Sequence, residues 1–150
     1  MSGLPCPDFT LPGTAGAVFQ LSASAKPLVI YFYPKDNTPG CTNETMDFRD
    51  LHAEFSAAGA QIVGISRDSL KSHENFKAKL ELPFELLSDS EETVCSLFDV
   101  IKMKNMYGKQ VRGIERSTFV IDAAGNIARE WRKVKVPGHA EEVLAFVKSL

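Results

Sequence analysis

A chain of 150 residues, 44% hydrophobic and 24% charged, has an ordinary globular balance and enough length to bury a core without disulfide staples. A net charge of −2 gives no general field for nucleic acid or acidic membranes, and the longest apolar run, LVIYF, is far too short to span a bilayer. The N-terminal MSGLPCPDFT does not read as a signal peptide, and three widely spaced cysteines do not read as a secreted disulfide framework, so a cytoplasmic, reducing setting is expected.

In chain order, FTLPGTAGAVFQLS mixes short β-prone pieces with Gly and Pro and reads as an N-terminal hairpin. KPLVIYFY is a continuous apolar run, the mark of a strand covered on both faces. Phe48, Leu51, Phe55 and Ala58 recur at helical spacing, and Gly59 stops that helix. AQIVGIS is a second buried strand, after which Asp68 or Ser69 caps a helix running to about Leu80. PFELLSD reads as a short strand, and Asp89 with Glu92 has capping-box spacing ahead of a short helix. KMKNMYGKQVRGIE has weak periodicity and reads as a loop or irregular hairpin. RSTFVID and IAREWRKV flank the turn AAGN, and Ala140, Val143, Leu144 and Val147 mark a closing helix. No repeat or linker divides the chain, so residues 1–150 are expected to form one domain. The order predicts an α/β fold, a central mixed sheet flanked by helices, compatible with a thioredoxin-like layout carrying an N-terminal hairpin extension.

The segment YFYPKDNTPGCTNETMDF places a lone cysteine where a helix begins. Thr38 suits the N-cap and Pro39 the first helical position, so Cys41 falls in the first turn, where the Thr38 hydroxyl could accept from its N–H. The positive end of a helix favours thiolate, and cysteines so placed have pKa values lowered from about 8.5 into the range of roughly 3.5–7.5. The competing reading is a small buried hydrophobe at a strand–helix junction. Its neighbours Pro39, Gly40, Thr42 and Asn43 are not core-lining residues, which favours a reactive sulfur. No C-x-x-C or H-x-x-x-H pattern offers a metal site.

FYPKDNTPGCTNE resembles the P-x-x-x-T-x-x-C pattern of the peroxiredoxins, and the longer YFYPKDNTPGCT resembles the branch called bacterioferritin comigratory protein, or PrxQ. The likeness continues through FRDL, GISRDS, LLSD, RSTFVID and WRKVKVPGHAEEVL, nearly the whole chain. It implies a thioredoxin-type fold, reduction of hydrogen peroxide and organic hydroperoxides, and neither metal nor other cofactor. Cys41 would be the peroxidatic sulfur, Thr38 would orient the peroxide, Pro34 would shield the pocket, and Arg116 would stabilise the thiolate and the developing oxyanion. Glu44, one turn after Cys41, gives a separate hint: a bare carboxylate there would oppose thiolate formation, and a nearby arginine would remove the conflict.

Many members of that branch carry a resolving cysteine five residues after the peroxidatic one, where this chain has Met46, and SLKSHENFKAKLEL offers none on the next helix. Cys95 sits in an apolar helix and reads as core, and Cys6 lies in an extended segment. Either would need Cα atoms within about 7 Å of Cys41 to bridge it. A one-cysteine cycle is therefore expected, with thioredoxin, glutaredoxin or glutathione as external thiol, and the resemblance implies a monomer. An atypical two-cysteine cycle through Cys95 or Cys6 is the alternative, as are a thiol–disulfide oxidoreductase, disfavoured by the absence of C-x-x-C, and a binding module with an inert cysteine. Trp131 is expected to pack on the sheet and His139 to sit in a cap region. Met103, Met106 and Tyr107 should border the pocket or cover a sheet edge, and the basic KMK and WRKVK should be solvated.

Overall fold

The run Leu28–Phe32 is β-branched, apolar and aromatic throughout, and all of it is buried as the central strand. The computed structural model describes residues 1–150 as β1 (Thr10–Pro12), β2 (Val18–Gln20), β3 (Leu28–Phe32), α1 (Pro39–Ala57), β4 (Gln61–Ser66), α2 (Leu70–Leu80), β5 (Glu85–Ser88), α3 (Thr93–Leu97), β6 (Ile101–Met106), β7 (Lys109–Ile114), β8 (Ser117–Ile121), β9 (Ile127–Trp131) and α4 (His139–Lys148). The main sheet runs β5-β4-β3-β8-β9, with β3, β4 and β5 parallel and β8 and β9 antiparallel to their neighbours. This is the expected mixed sheet flanked by helices, and β1 with β2 makes the expected N-terminal hairpin.

Strand alternation splits the core into two apolar layers. Val29, Tyr31 and Tyr33 face one way, against Phe48 and Phe55 of α1, Phe76 and Leu80 of α2, and Val143 and Leu144 of α4. Leu28, Ile30 and Phe32 face the other, against Leu11 and Phe19 of the hairpin, Val94 and Cys95 of α3, and Phe98. Gly59, at φ +80°, closes α1 as its position in the sequence suggests, and Ser69 caps α2 by accepting from the Ser72 N–H at 3.2 Å.

Two local expectations change. Residues 101–114 form a regular antiparallel hairpin, with Met103 opposite Arg112 and Asn105 opposite Gln110. The positive φ of Tyr107 and Gly108 completes a two-residue turn between strands too polar to show alternation. The capping box expected at Asp89 and Glu92 does not form, because α3 begins at Thr93 with Glu92 itself in the N-cap position. Asp89 accepts from the Cys95 N–H at 2.7 Å, whereas Glu92 turns to Arg67 and Arg112 and caps nothing.

Gly64 on β4 lies where Tyr31 crosses it, and a Cβ there would come within 2.7 Å of Tyr31 Cζ and 2.9 Å of Leu86 Cδ2. Tyr31 cannot yield, being stacked on Tyr33 at 5.4 Å and Phe48 at 4.7 Å between ring centroids. Gly64→Ala should cost about 2 kcal/mol and lower Tm by roughly 4–8 °C in calorimetry. An unchanged Tm would show that this layer has slack.

Candidate active site

The antiparallel pairing of Phe32 with Ser117 fixes where the site forms. It sets Arg116, the residue before β8, beside the end of β3, where the chain turns through Pro34–Thr38 into α1. Thr38 is the extended N-cap (φ −83°, ψ 150°) and Pro39 the first helical residue, so Cys41 sits in the first turn as the sequence predicts.

The Thr38 hydroxyl does not cap the Cys41 N–H. It donates to the Lys35 carbonyl at 2.8 Å, because the loop folds that carbonyl back beneath it, and the helix has no side-chain N-cap bond. The first-turn N–H groups keep their positive end without a side-chain acceptor.

Arg116 joins the site together. Its Nη1 donates to Glu44 Oε1 at 2.7 Å and its Nη2 to Cys41 Sγ at 3.4 Å, so one planar fork spans both residues of the same helical face. Gly40 permits the approach, since a Cβ there would stand 3.2 Å from Nη2. Cys41 and Glu44 are each 1% exposed, while the Arg116 side chain keeps 16% and so lines the way to solvent. The two sequence readings of Cys41 thus merge: the sulfur is buried and touches the apolar layer, and it also carries a cation. Pro34 and Thr38 are half-buried on the loop above it.

Burial pushes the Glu44 carboxyl up to about 7, against the charge and hydrogen bond of Arg116, which pull it down. Its second oxygen, Oε2, is buried without a partner, the place where a proton would sit. Burial works against the Arg116 charge, yet the facing Glu44 and Cys41 outweigh it and raise its pKa.

The other two sulfurs lie elsewhere. Cys95 is fully buried in the layer behind the sheet, and Cys6 packs against that same layer, whereas Cys41 belongs to the layer in front. Burial pushes the Cys6 thiol up to about 12, and burial together with Asp89 raises Cys95 as well. All three cysteines are free. Met46 is half-buried against the front layer.

Sequence reasoning missed three buried polar contacts near the site. Tyr31 and Thr45 share a hydrogen bond of 3.1 Å behind α1. His139, expected merely to sit in a cap region, is the first residue of α4, buried, with Nε2 2.8 Å from the Thr118 hydroxyl; burial lowers its pKa to about 4. Asp36 and His73 meet at 2.7 Å. The helical spacing of His73, Phe76 and Leu80 could have shown that His73 faces inward. Trp131 packs as expected, edge-on to Phe146 with Arg129 over its ring at 4.4 Å.

The AhpC/TSA family model matches residues 2–130, and the chain belongs to that family. Within it the chain falls among the peroxiredoxins of the Bcp, or PrxQ, branch, the branch its active-site segment resembles. It is 56% identical over 149 residues to Peroxiredoxin Bcp of Xanthomonas campestris, covering 97% of this chain and 93% of the relative. It is 49% identical over 149 residues to Peroxiredoxin Bcp of Bacillus subtilis, covering 99% and 95%. Among solved structures it superposes on the bacterioferritin comigratory protein of Xanthomonas campestris, described for its alkyl peroxide reduction activity. That match has a TM-score of 0.92 and 54% identity, over 99% of this chain and 98% of that one.

The raised Glu44 carboxyl has a signed consequence for stability. Its folded pKa of about 7 exceeds the ordinary 4.5, so its contribution is complete below pH 4.5 and is lost as pH rises through 7. A shift of that size corresponds to about 3 kcal/mol. Urea unfolding of the parent and Glu44→Gln across this window should show the parent losing about that much relative to the variant. The His139 contribution runs in the opposite sense and cancels in the comparison. Parallel curves would contradict the assignment.

Proposed function

We propose that this peroxidase works through Cys41 in a one-cysteine cycle. The Cys41 thiolate attacks the terminal oxygen of a hydroperoxide; the O–O bond breaks, the sulfur becomes a sulfenic acid, and the leaving alkoxide or hydroxide takes up a proton. The Arg116 guanidinium holds the thiolate and meets the charge that develops on the departing oxygen. Thr38, its hydroxyl proton committed to Lys35, offers its oxygen to the incoming O–H, and Pro34 shields the pocket from water. Glu44 keeps the guanidinium aimed.

One external thiol then displaces water from the sulfenic acid to give a mixed disulfide. A second thiol attacks the outer sulfur, releasing a disulfide and the Cys41 thiolate, so two thiols supply the two electrons. Thioredoxin, glutaredoxin and glutathione all have the required chemistry, and a monomer in the cytoplasm suffices for it.

The observation that carries this reading is the placement of the sulfurs. Cys41 alone among the three accepts a hydrogen bond from a cation, and Cys6 and Cys95 lie against the opposite face of the sheet. A bridge from Cys41 to either would join opposite faces of the sheet, and bringing the Cα atoms within the required 7 Å or so would take a local rearrangement.

Mass spectrometry after one equivalent of peroxide should find Cys41 as sulfenic acid or its trapped adduct, with Cys6 and Cys95 as thiols. Cys41→Ser should consume no peroxide, and Cys6→Ser and Cys95→Ser should each turn over at the parent rate. An intramolecular Cys41–Cys95 or Cys41–Cys6 disulfide would replace this cycle with a two-cysteine one.

A further inference from the structure

The loop between β3 and α1 carries Pro34 and Thr38, yet its main anchor is Asp36, which has no part in the chemistry above. Asp36 is 4% exposed. Its Oδ1 accepts from the Tyr33 hydroxyl at 2.6 Å, and its Oδ2 accepts from the Ser72 hydroxyl at 2.8 Å and faces His73 Nδ1 at 2.7 Å. Its N–H donates to Asp68 Oδ2 at 2.9 Å, and the Ser66 hydroxyl donates to the same oxygen at 2.5 Å. On the far side of the imidazole, Nε2 lies 3.0 Å from the Leu87 carbonyl of β5.

A carbonyl only accepts, so Nε2 carries a hydrogen, and one proton lies between Nδ1 and the Asp36 carboxyl. Burial works against the Asp36 carboxylate, but the hydrogen bond and charge of His73, with Tyr33 and Ser72, hold its pKa below the usual value. The pair is hydrogen-bonded on both sides of the ring, with side-chain exposures of 0% and 1%. Asp36, Asp68 and His73 bring ligand-type atoms within 4.8 Å of one another, but these are already matched to each other and to protein donors.

Asn37, directly after Asp36, sits at φ +63°, a left-handed turn conformation that asparagine tolerates better than most residues. On one side the Asp36 network fixes it; on the other, the bond from Thr38 to Lys35.

We propose that Asp36 and His73 are positioning residues for the peroxide pocket. The buried pair ties the loop bearing Pro34 and Thr38 to α2 and β5, and so holds the oxygen-orienting wall in register with Cys41. Neither residue touches the peroxide; both act through the loop. The proposal rests on Cys41 being the attacking sulfur, and it places part of the peroxide specificity in α2, a helix that contributes no group to the site.

Two rates on one sulfur separate positioning from general structure. Oxidation by peroxide needs the aligned wall, whereas alkylation by iodoacetamide needs only the thiolate. His73→Gln and Asp36→Ala should slow oxidation by about tenfold or more while changing alkylation by less than about threefold. Ser72→Ala, at a half-buried position and removing one donor to Asp36, should show a smaller loss in the same direction, and it decides the matter if the other two do not fold. Oxidation rates equal to the parent's, or oxidation and alkylation falling in parallel, would each overturn the proposal. Failure of the parent's own Cys41 to oxidise would instead overturn the function it rests on.

Discussion

Everything at this site depends on one guanidinium serving two buried partners. Arg116 donates to Cys41 Sγ and to Glu44 Oε1 at once, with both acceptors almost wholly removed from water. Pairs such as Lys148–Glu54, with both side chains more than half exposed, contribute about 0–1 kcal/mol at most. Breaking a buried pair by deleting one partner typically costs about 3–5 kcal/mol. The difference explains why a protein would keep Glu44 here despite its burial. A guanidinium with one partner could swing, whereas a fork anchored by a carboxylate presents its second nitrogen to the sulfur in a fixed direction. Glu44 can also take up a proton, which leaves Arg116 more fully committed to Cys41.

The sheet supplies the rest of the design. Pairing of β3 with β8 brings Arg116 to the loop without any direct sequence link, and strand alternation separates the sulfurs by face. The same alternation puts Tyr31 and Tyr33 under α1, where their hydroxyls bond Thr45 and Asp36 and so fix the helix and the loop before it. The N-terminal end of α1 is held from below by the front layer, from the side by Arg116, and from the loop by the Asp36 network. A rigid frame of this kind suits a reaction in which peroxide and sulfur must meet in line.

Much of this was legible in the residues. Continuous apolar runs gave β3 and β4, the turn AAGN gave the pair β8 and β9, helical spacing gave α1 and α4, and Thr38-Pro39 gave the start of α1. The resemblance supplied Arg116, and the charge conflict of Glu44, one turn from Cys41, pointed to a cation beside it; the two meet in the structure. What stayed hidden depends on pairs distant in sequence. That Cys41 and Cys95 lie on opposite faces of the sheet becomes visible only once strands are registered, although Cys95 already read as core. The Thr38 hydroxyl had two possible partners, and the loop geometry, not its propensity, chose the Lys35 carbonyl. Asp36 looked like any polar turn residue because its partner lies 37 positions away.

The most direct test of the account is the rate at which hydrogen peroxide oxidises Cys41, in a background with Cys6 and Cys95 replaced by serine, for the parent and for Arg116→Met. The account predicts a fall of about 100-fold or more when the guanidinium is removed. Equal rates would contradict it, because the reactivity of the sulfur would then owe nothing to Arg116.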